Sequence, residues 1–311
     1  MRLWTAILAL AAFLPAAAGE TDVRTIALTF DDATRGDGPV FTGEQRTTAL
    51  IESLEAAGVD GAMFFVTTRN VQRQGETGTA RLNAYTAAGH TLANHSHTHP
   101  WLHRTDADDY IADIDIATEI LAEQDNVEPF YRYPFLDEGR AVDKRDRLRE
   151  ALAERDLQNG YVTVDTYDWY LEALLTEAHE AGVEIDMEKL GSLYVDVIVR
   201  STEFYDSMAQ ETLGRSPHHV LLLHENDVAA LFIDDLVERL REHGFRIIPA
   251  TVAFEDPISE REPDTLFLGQ GRIAALAHEA GRRPAELVSP TEDEAYLRSR
   301  FEREVAALPA P

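Results

Sequence analysis

The chain has 311 residues, 44% of them hydrophobic, with 56 acidic side chains against 28 basic ones and no cysteine. That length supports one large core or two smaller ones, and the lack of cysteine excludes disulfides and a lipid-modified thiol. The formal charge of −28 argues against nucleic acid and anionic membrane surfaces as partners, since a phosphate-rich surface is repelled at long range.

In chain order, residues 1–18 (MRLWTAILALAAFLPAAA) place one arginine before a Leu/Ala run and end in small residues. This is the pattern of a cleaved signal peptide, and the apolar run is shorter than the ~20 residues a bilayer span needs. An exported protein, periplasmic or secreted and without a membrane anchor, is expected. RTIALTF (24–30) reads as a buried strand, 43–58 as a helix closed by Gly58, and GAMFFVT (61–67) as a second strand. A helix near 77–89 and a strand at 90–94 follow. Thr105 with Asp108 predicts a capped helix start, after which Tyr110, Ile111, Ile114, Ala117 and Leu121 recur at helical spacing. Further strands are expected at 129–135, 161–165, 219–224 and 245–250, with helical patterns between them. Residues 166–217 read as a helical insertion able to wall a site, and the polar tail after 256 as holding helices around 270–281 and 291–306.

Alternating strand and helix predicts an α/β fold with parallel strands joined by helical crossovers. Seven or so units suggest a distorted (β/α) barrel related to the eight-fold one, its ring not necessarily complete. In such barrels chemistry gathers at the carboxyl ends of the strands. The expected division is a signal peptide at 1–18, a catalytic domain at 22–256 and a helical C-terminal extension at 257–311.

Those strand ends are chemically biased. HTLANHSHTHPWLH (90–103) holds five of the chain's eleven histidines. A single turn can aim His95 and His99 at one point, Pro100 disfavours a helix there, and His97 alternates away. Two histidines do not complete a catalytic metal site, and a solvated histidine loop is an equally good reading of this stretch alone. TFDD ends in Asp31 and Asp32, which should point to opposite sides on leaving a strand, one free to bind a metal and the other to take a proton. By itself an acidic pair is more often a turn device. Arg132 in FYRYPF, Asp165 and Asp168 in VDTYDWY and His224 in LLLHEND each have bland readings as ion pairs or satisfied core groups. Their coincidence at five strand ends is what calls for chemistry.

TFDD, HSHTH, RYPF, DTYDW and LLLH, in that order, resemble the five motifs of the polysaccharide deacetylases, carbohydrate esterase family 4, over about residues 24–254. The resemblance implies a distorted (β/α) barrel and metal-dependent removal of acetyl groups from chitin, peptidoglycan, related N-acetylglucosamine polymers or acetylated xylan. Matched by position, it implies Asp32, His95 and His99 as metal ligands, Asp31 as general base held by Arg132, and His224 as general acid supported by Asp168. It implies the Phe135 N–H as oxyanion donor, and Trp169 and Leu222 as walls for the acetyl methyl. Asp165 matches the first aspartate of the fourth motif, while His97 and His103 fall at variable positions. The chain departs from the family pattern at Ala33 and Leu136, where glycine is usual, and at Phe135, where tyrosine is. One divalent ion is expected, zinc first, with cobalt or nickel tolerated by the same ligands. The expected activity is N-deacetylation of a poly- or oligosaccharide. An O-acetyl esterase on xylan-like glycans and a non-catalytic glycan-binding protein with a vestigial site are the alternatives.

Overall fold

The computed structural model describes residues 23–267 and 269–308; the signal peptide expected at 1–18 lies outside the described residues. Strand β1 (Thr25–Ala33) is buried at every position except Asp32, as a strand covered on both faces must be. It is followed by α1 (Gly43–Ala56), β2 (Met63–Val66), α2 (Thr68–Gln74), α3 (Glu76–Ala87), β3 (Thr91–Asn94), α4 (Ala107–Leu121) and β4 (Val127–Tyr131). Then come α5 (Val142–Ala153), β5 (Gln158–Asn159), α6 (Asp168–Glu180), α7 (Met187–Leu213), β6 (His218–His224), α8 (Asp227–Glu242), β7 (Arg246–Ile247), α9 (Ala250–Ala253), α10 (Arg272–Glu279) and α11 (Glu294–Glu304).

Helix starts follow local chemistry. Thr42 and Gln45 form a reciprocal capping box at α1, and Gly58 takes φ +60° just past its end. At α4 the cap is Asp106, which accepts from the Asp108 N–H, so the cap expected at Thr105 sits one residue later.

The strands make one seven-stranded parallel sheet in the order β5-β4-β3-β2-β1-β6, with β7 pairing with the first residues of β1. With helices around it, this is an incomplete (β/α) barrel. The strand expected at 161–165 is not a ladder strand. Gly160 N–H still donates to Tyr131 in β4, whereas the Thr163 and Val164 N–H groups donate to Val220 in β6. The segment therefore changes partner and bridges the gap between the sheet's two edges. Thr163 and Thr166 hydroxyls donate to the Val220 and Leu222 carbonyls, standing in for ladder bonds. A side chain at Gly160 would meet the Phe65 ring 2.6 Å from its Cβ, so the crossing needs glycine.

Two buried clusters hold this frame. The larger runs from β1 through α7 and α8 to the tail, where Ile273, Leu276, Leu297 and Phe301 join it. Phe64 at its centre stacks on Phe30 (5.0 Å) and Tyr85 (3.9 Å). The smaller lies under β4, between α4 and α5, around Tyr110, Ile114, Tyr131 and Leu148. Among the described residues no helix is long and apolar enough to cross a membrane.

Candidate active site

The β1–β6 register pairs Thr29 with Leu222 and Asp31 with His224. Alternate residues share a face, so these four belong to one layer of the barrel interior. Beyond Phe30 the β1–β2 register slips, and Asp32 takes φ +66°. This bulge, tolerated because aspartate adopts left-handed backbone more readily than most residues, turns the next carboxylate inward as well. Asp31 Oδ2 lies 3.6 Å and Asp32 Oδ1 3.9 Å from His95 Nε2. The adjacent aspartates thus face the same side, not the opposite sides an unbulged strand predicts.

His95 leaves β3 with its Nδ1–H donating to the Arg132 carbonyl at 2.9 Å, which fixes the tautomer and leaves the Nε2 lone pair facing Asp32. Left-handed backbone at Ser96 (φ +72°) and His99 (φ +58°) curls the loop back, and the His99 N–H donates to Ser96 Oγ. His99 Nε2 comes within 3.6 Å of Asp32 Oδ1. Asp113 of α4 accepts from the N–H groups of His97 and Thr98 and from the Thr98 hydroxyl, tying the loop to the helix behind it. Sequence reasoning missed Asp113, whose single signal is an acid on the apolar face of α4. Burial pulls the His99 imidazole down to about 4, with Asp32 opposing, so it is neutral at neutral pH. For Asp32 burial pushes upward but is outweighed by His99, His95, His224 and Arg35, leaving the carboxyl well below its ordinary range.

Two charged pairs flank these three residues. Arg132, almost wholly buried, donates to Asp31 Oδ1 (2.7 Å), Thr29 Oγ1 (2.8 Å) and the Gly160 carbonyl (2.7 Å), with its guanidinium carbon 3.7 Å from the Phe65 ring centroid. Across the site the His224 Nδ1–H donates to Asp168 Oδ1 at 2.7 Å, while Asp168 Oδ2 accepts from the His224 backbone and from Asn226. Burial depresses the His224 imidazole, but Asp168, Asp32 and Asp31 outweigh it and raise it to about 9. Asp165 lies beside this pair; burial, with Asp168 and Asp31 adding to it, holds its carboxyl well above the ordinary range.

The remaining expected residues lie on neighbouring segments. Phe135 has φ +58° and a side chain packed edge-on to His99, with ring centroids 4.7 Å apart. It is the second residue of a short turn (Pro134–Leu136), in which the Leu136 N–H donates to the Tyr133 carbonyl and the Asp137 N–H to that of Pro134. Trp169 lies in the first turn of α6, half-exposed against Tyr167 and Tyr170, and Leu222 is buried in the β6 layer. His97 turns away to the Thr68 hydroxyl, and His103 packs on Trp101. Glu225, directly after His224, also escaped sequence reasoning: it is fully buried, held by Arg81 (2.7 Å) and the Tyr85 hydroxyl (2.9 Å), and receives the Arg35 N–H (2.7 Å).

The donor atoms of Asp32, His95 and His99 all lie within 4.8 Å of one another. Two imidazoles and a carboxylate, one imidazole already oriented by a carbonyl, are a fitting donor set for a divalent ion with open positions.

A family model described as polysaccharide deacetylase matches residues 18–151. No curated protein sequence matches the chain. Among solved structures, a family 4 carbohydrate-esterase pseudoenzyme from Bacillus anthracis shares 17% identity at TM-score 0.54, over 76% of this chain and 67% of that one. A mutant of that pseudoenzyme with restored enzymatic activity aligns at 18% identity, TM-score 0.54, over 76% and 69%. A family 4 carbohydrate esterase from Streptomyces lividans in complex with acetate aligns at 19% identity, TM-score 0.49, over 74% and 95%. At these identities the likeness is one of fold. The family match takes in Asp31, Asp32, His95, His99, Arg132 and Phe135, and ends before Asp168 and His224.

Proposed function

We propose, from the premise that residues 18–151 belong to the polysaccharide deacetylase family, that the protein hydrolyses acetyl groups from an N-acetylated glycan. One observation carries this reading: three metal-type donors within 4.8 Å of one another stand between an Asp31–Arg132 pair and a His224–Asp168 pair.

An amide carbonyl is a poor electrophile and its amine a poor leaving group, so cleavage needs help at both atoms. A divalent ion held by Asp32, His95 and His99, zinc by first preference, would supply Lewis acidity toward the carbonyl and acidify a bound water. Asp31, oriented by Arg132, accepts the proton of the attacking water. The Phe135 N–H donates to the oxygen on which charge develops. His224 is proton-loaded at neutral pH because of Asp168, and delivers its Nε2 proton to the departing nitrogen. Trp169 and Leu222 close round the acetyl methyl. The pattern of residues 1–18 supports export, toward extracellular or periplasmic glycans.

The test is acetate release from N-acetylglucosamine oligomers and from acetylated xylan, with zinc, cobalt or nickel added. The expected result is release from the amide substrate, with His224→Ala slowing the amide more than the ester because an alkoxide leaves without a proton more readily. Absence of acetate from every substrate and metal would overturn the reading.

A further inference from the structure

Beside Asp32 and His99, the space between the loop after β1 and helix α2 opens into a cavity of about 350 Å³. Arg35, Arg69 and Arg73 line it, and among the described residues Asp32 is its single acidic wall. This inverts the balance of the chain, in which acids outnumber bases by 56 to 28. Many arginines elsewhere are paired with acids, as Arg298 is with Glu177 and Arg155 with Asp115, although Arg241, Arg246 and Arg261 also make no ion pair among the described residues. Arg69 and Arg73 are exposed, and among the described residues neither guanidinium makes an ion pair or a hydrogen bond. Arg35 is held in place from behind, its N–H on buried Glu225 and its guanidinium 3.7 Å from Asp32 Oδ2. A cation shared by Asp32 would neutralise that one acid and leave three positive charges facing the cavity. Past Phe135 on the far side, Arg104 lies over Trp101 at 4.6 Å, again with no acid partner among the described residues.

We infer that this cavity receives a carboxylate carried by the substrate, so that the glycan is an acidic one. Guanidinium forks match planar carboxylates with paired hydrogen bonds, and arginines left unpaired in an acid-rich surface attract an anion that the rest of the molecule repels. The carboxylate sits on the acetylated sugar or its neighbour, either as a lactyl ether or as the C6 acid of a hexuronic residue. The acetylated part of this inference rests on the deacetylase reading; the anionic part does not.

Both parts are testable with the full chain loaded with zinc. Five probes of equal length are compared for binding by calorimetry and for acetate release. They are an N-acetylglucosamine oligomer, an oligomer containing N-acetylmuramic acid, an acetylated hexuronic acid oligomer, and the acidic oligomers with their carboxyls converted to amides. At least one acidic probe should bind about tenfold more tightly, with KM lower by the same factor, than its own amide. The advantage should shrink as salt rises and the Debye length falls toward about 3 Å. The double variant Arg69→Gln, Arg73→Gln should remove the preference, and the better acidic probe identifies the carboxylate's source. Equal binding of acid and amide, or a preference that survives the double variant, overturns the inference. Acetate released without preference sinks the charge assignment alone, whereas acidic preference without acetate sinks the deacetylase reading alone.

Discussion

On one flank of the Asp32–His95–His99 cluster a carboxylate is clamped by an arginine; on the other a histidine is clamped by a carboxylate. Arg132 brings Asp31 a fixed positive partner at 2.7 Å, and Asp168 brings His224 a negative one at the same distance. Both clamps are buried, so each partner acts through a medium where charge counts for more than in water. In the proposed mechanism one group accepts a proton and the other is kept loaded with one; Asp31 and His224 are 193 residues apart in sequence but adjacent in the β1–β6 register. The flanks also differ in support. The family match reaches Asp31 and Arg132 but ends at residue 151, so the His224–Asp168 assignment stands on geometry and electrostatics. In the proposed mechanism, acid and base are distinguished by the sign of the buried partner more than by the titrating group itself.

Breaking the base flank should have the largest effect. Asp31→Asn lowers kcat/KM for acetate release by about 10²–10⁴-fold while calorimetry still finds the metal bound. Unchanged turnover would remove Asp31 from its role. Arg132→Met leaves the Asp31 carboxylate buried without its partner and should cost ~3–5 kcal/mol of stability, read by denaturant unfolding. A loss below about 1 kcal/mol would mean that the pair is solvated and not a clamp.

The acid flank is sharpened by pH. His224 is raised to about 9, so its proton is held below that pH and lost above it, and kcat/KM should fall as pH rises through about 9. In Asp168→Asn the counter-charge is gone, and the same fall should move down toward the ordinary imidazole value of about 6.5. A pH profile identical in the two proteins would detach Asp168 from the acid. Smallest is the loop support: Asp113→Ala, which strips two N–H groups and a hydroxyl of their acceptor, should cost about 1–3 kcal/mol and weaken metal binding without moving either pH limb.

The sequence made the strand ends legible because each carries its chemistry in a run of four or five residues, such as TFDD or HSHTH. Tertiary register was not legible. The inward turn of both Asp31 and Asp32 depends on a slip against β2, which no local pattern in TFDD announces. VTVD at 162–165 has strand composition, yet the segment abandons β4 for β6 and lets threonine hydroxyls carry part of the bonding. Asp113 and Glu225 carry no functional signal in the sequence; their roles follow from α4 and the end of β6, which place them behind the loops they hold. The three arginines of the cavity, at 35, 69 and 73, share a wall only because α2 packs beside the loop leaving β1.

The central claim is that Asp32, His95 and His99 share one divalent cation. Anomalous diffraction at the zinc edge, from crystals of the full chain grown with one equivalent of zinc, tests it directly. A single peak should lie about 2.0–2.2 Å from an Asp32 carboxylate oxygen and from the Nε2 atoms of His95 and His99. A peak ligated by other residues, or none at these three, would contradict it.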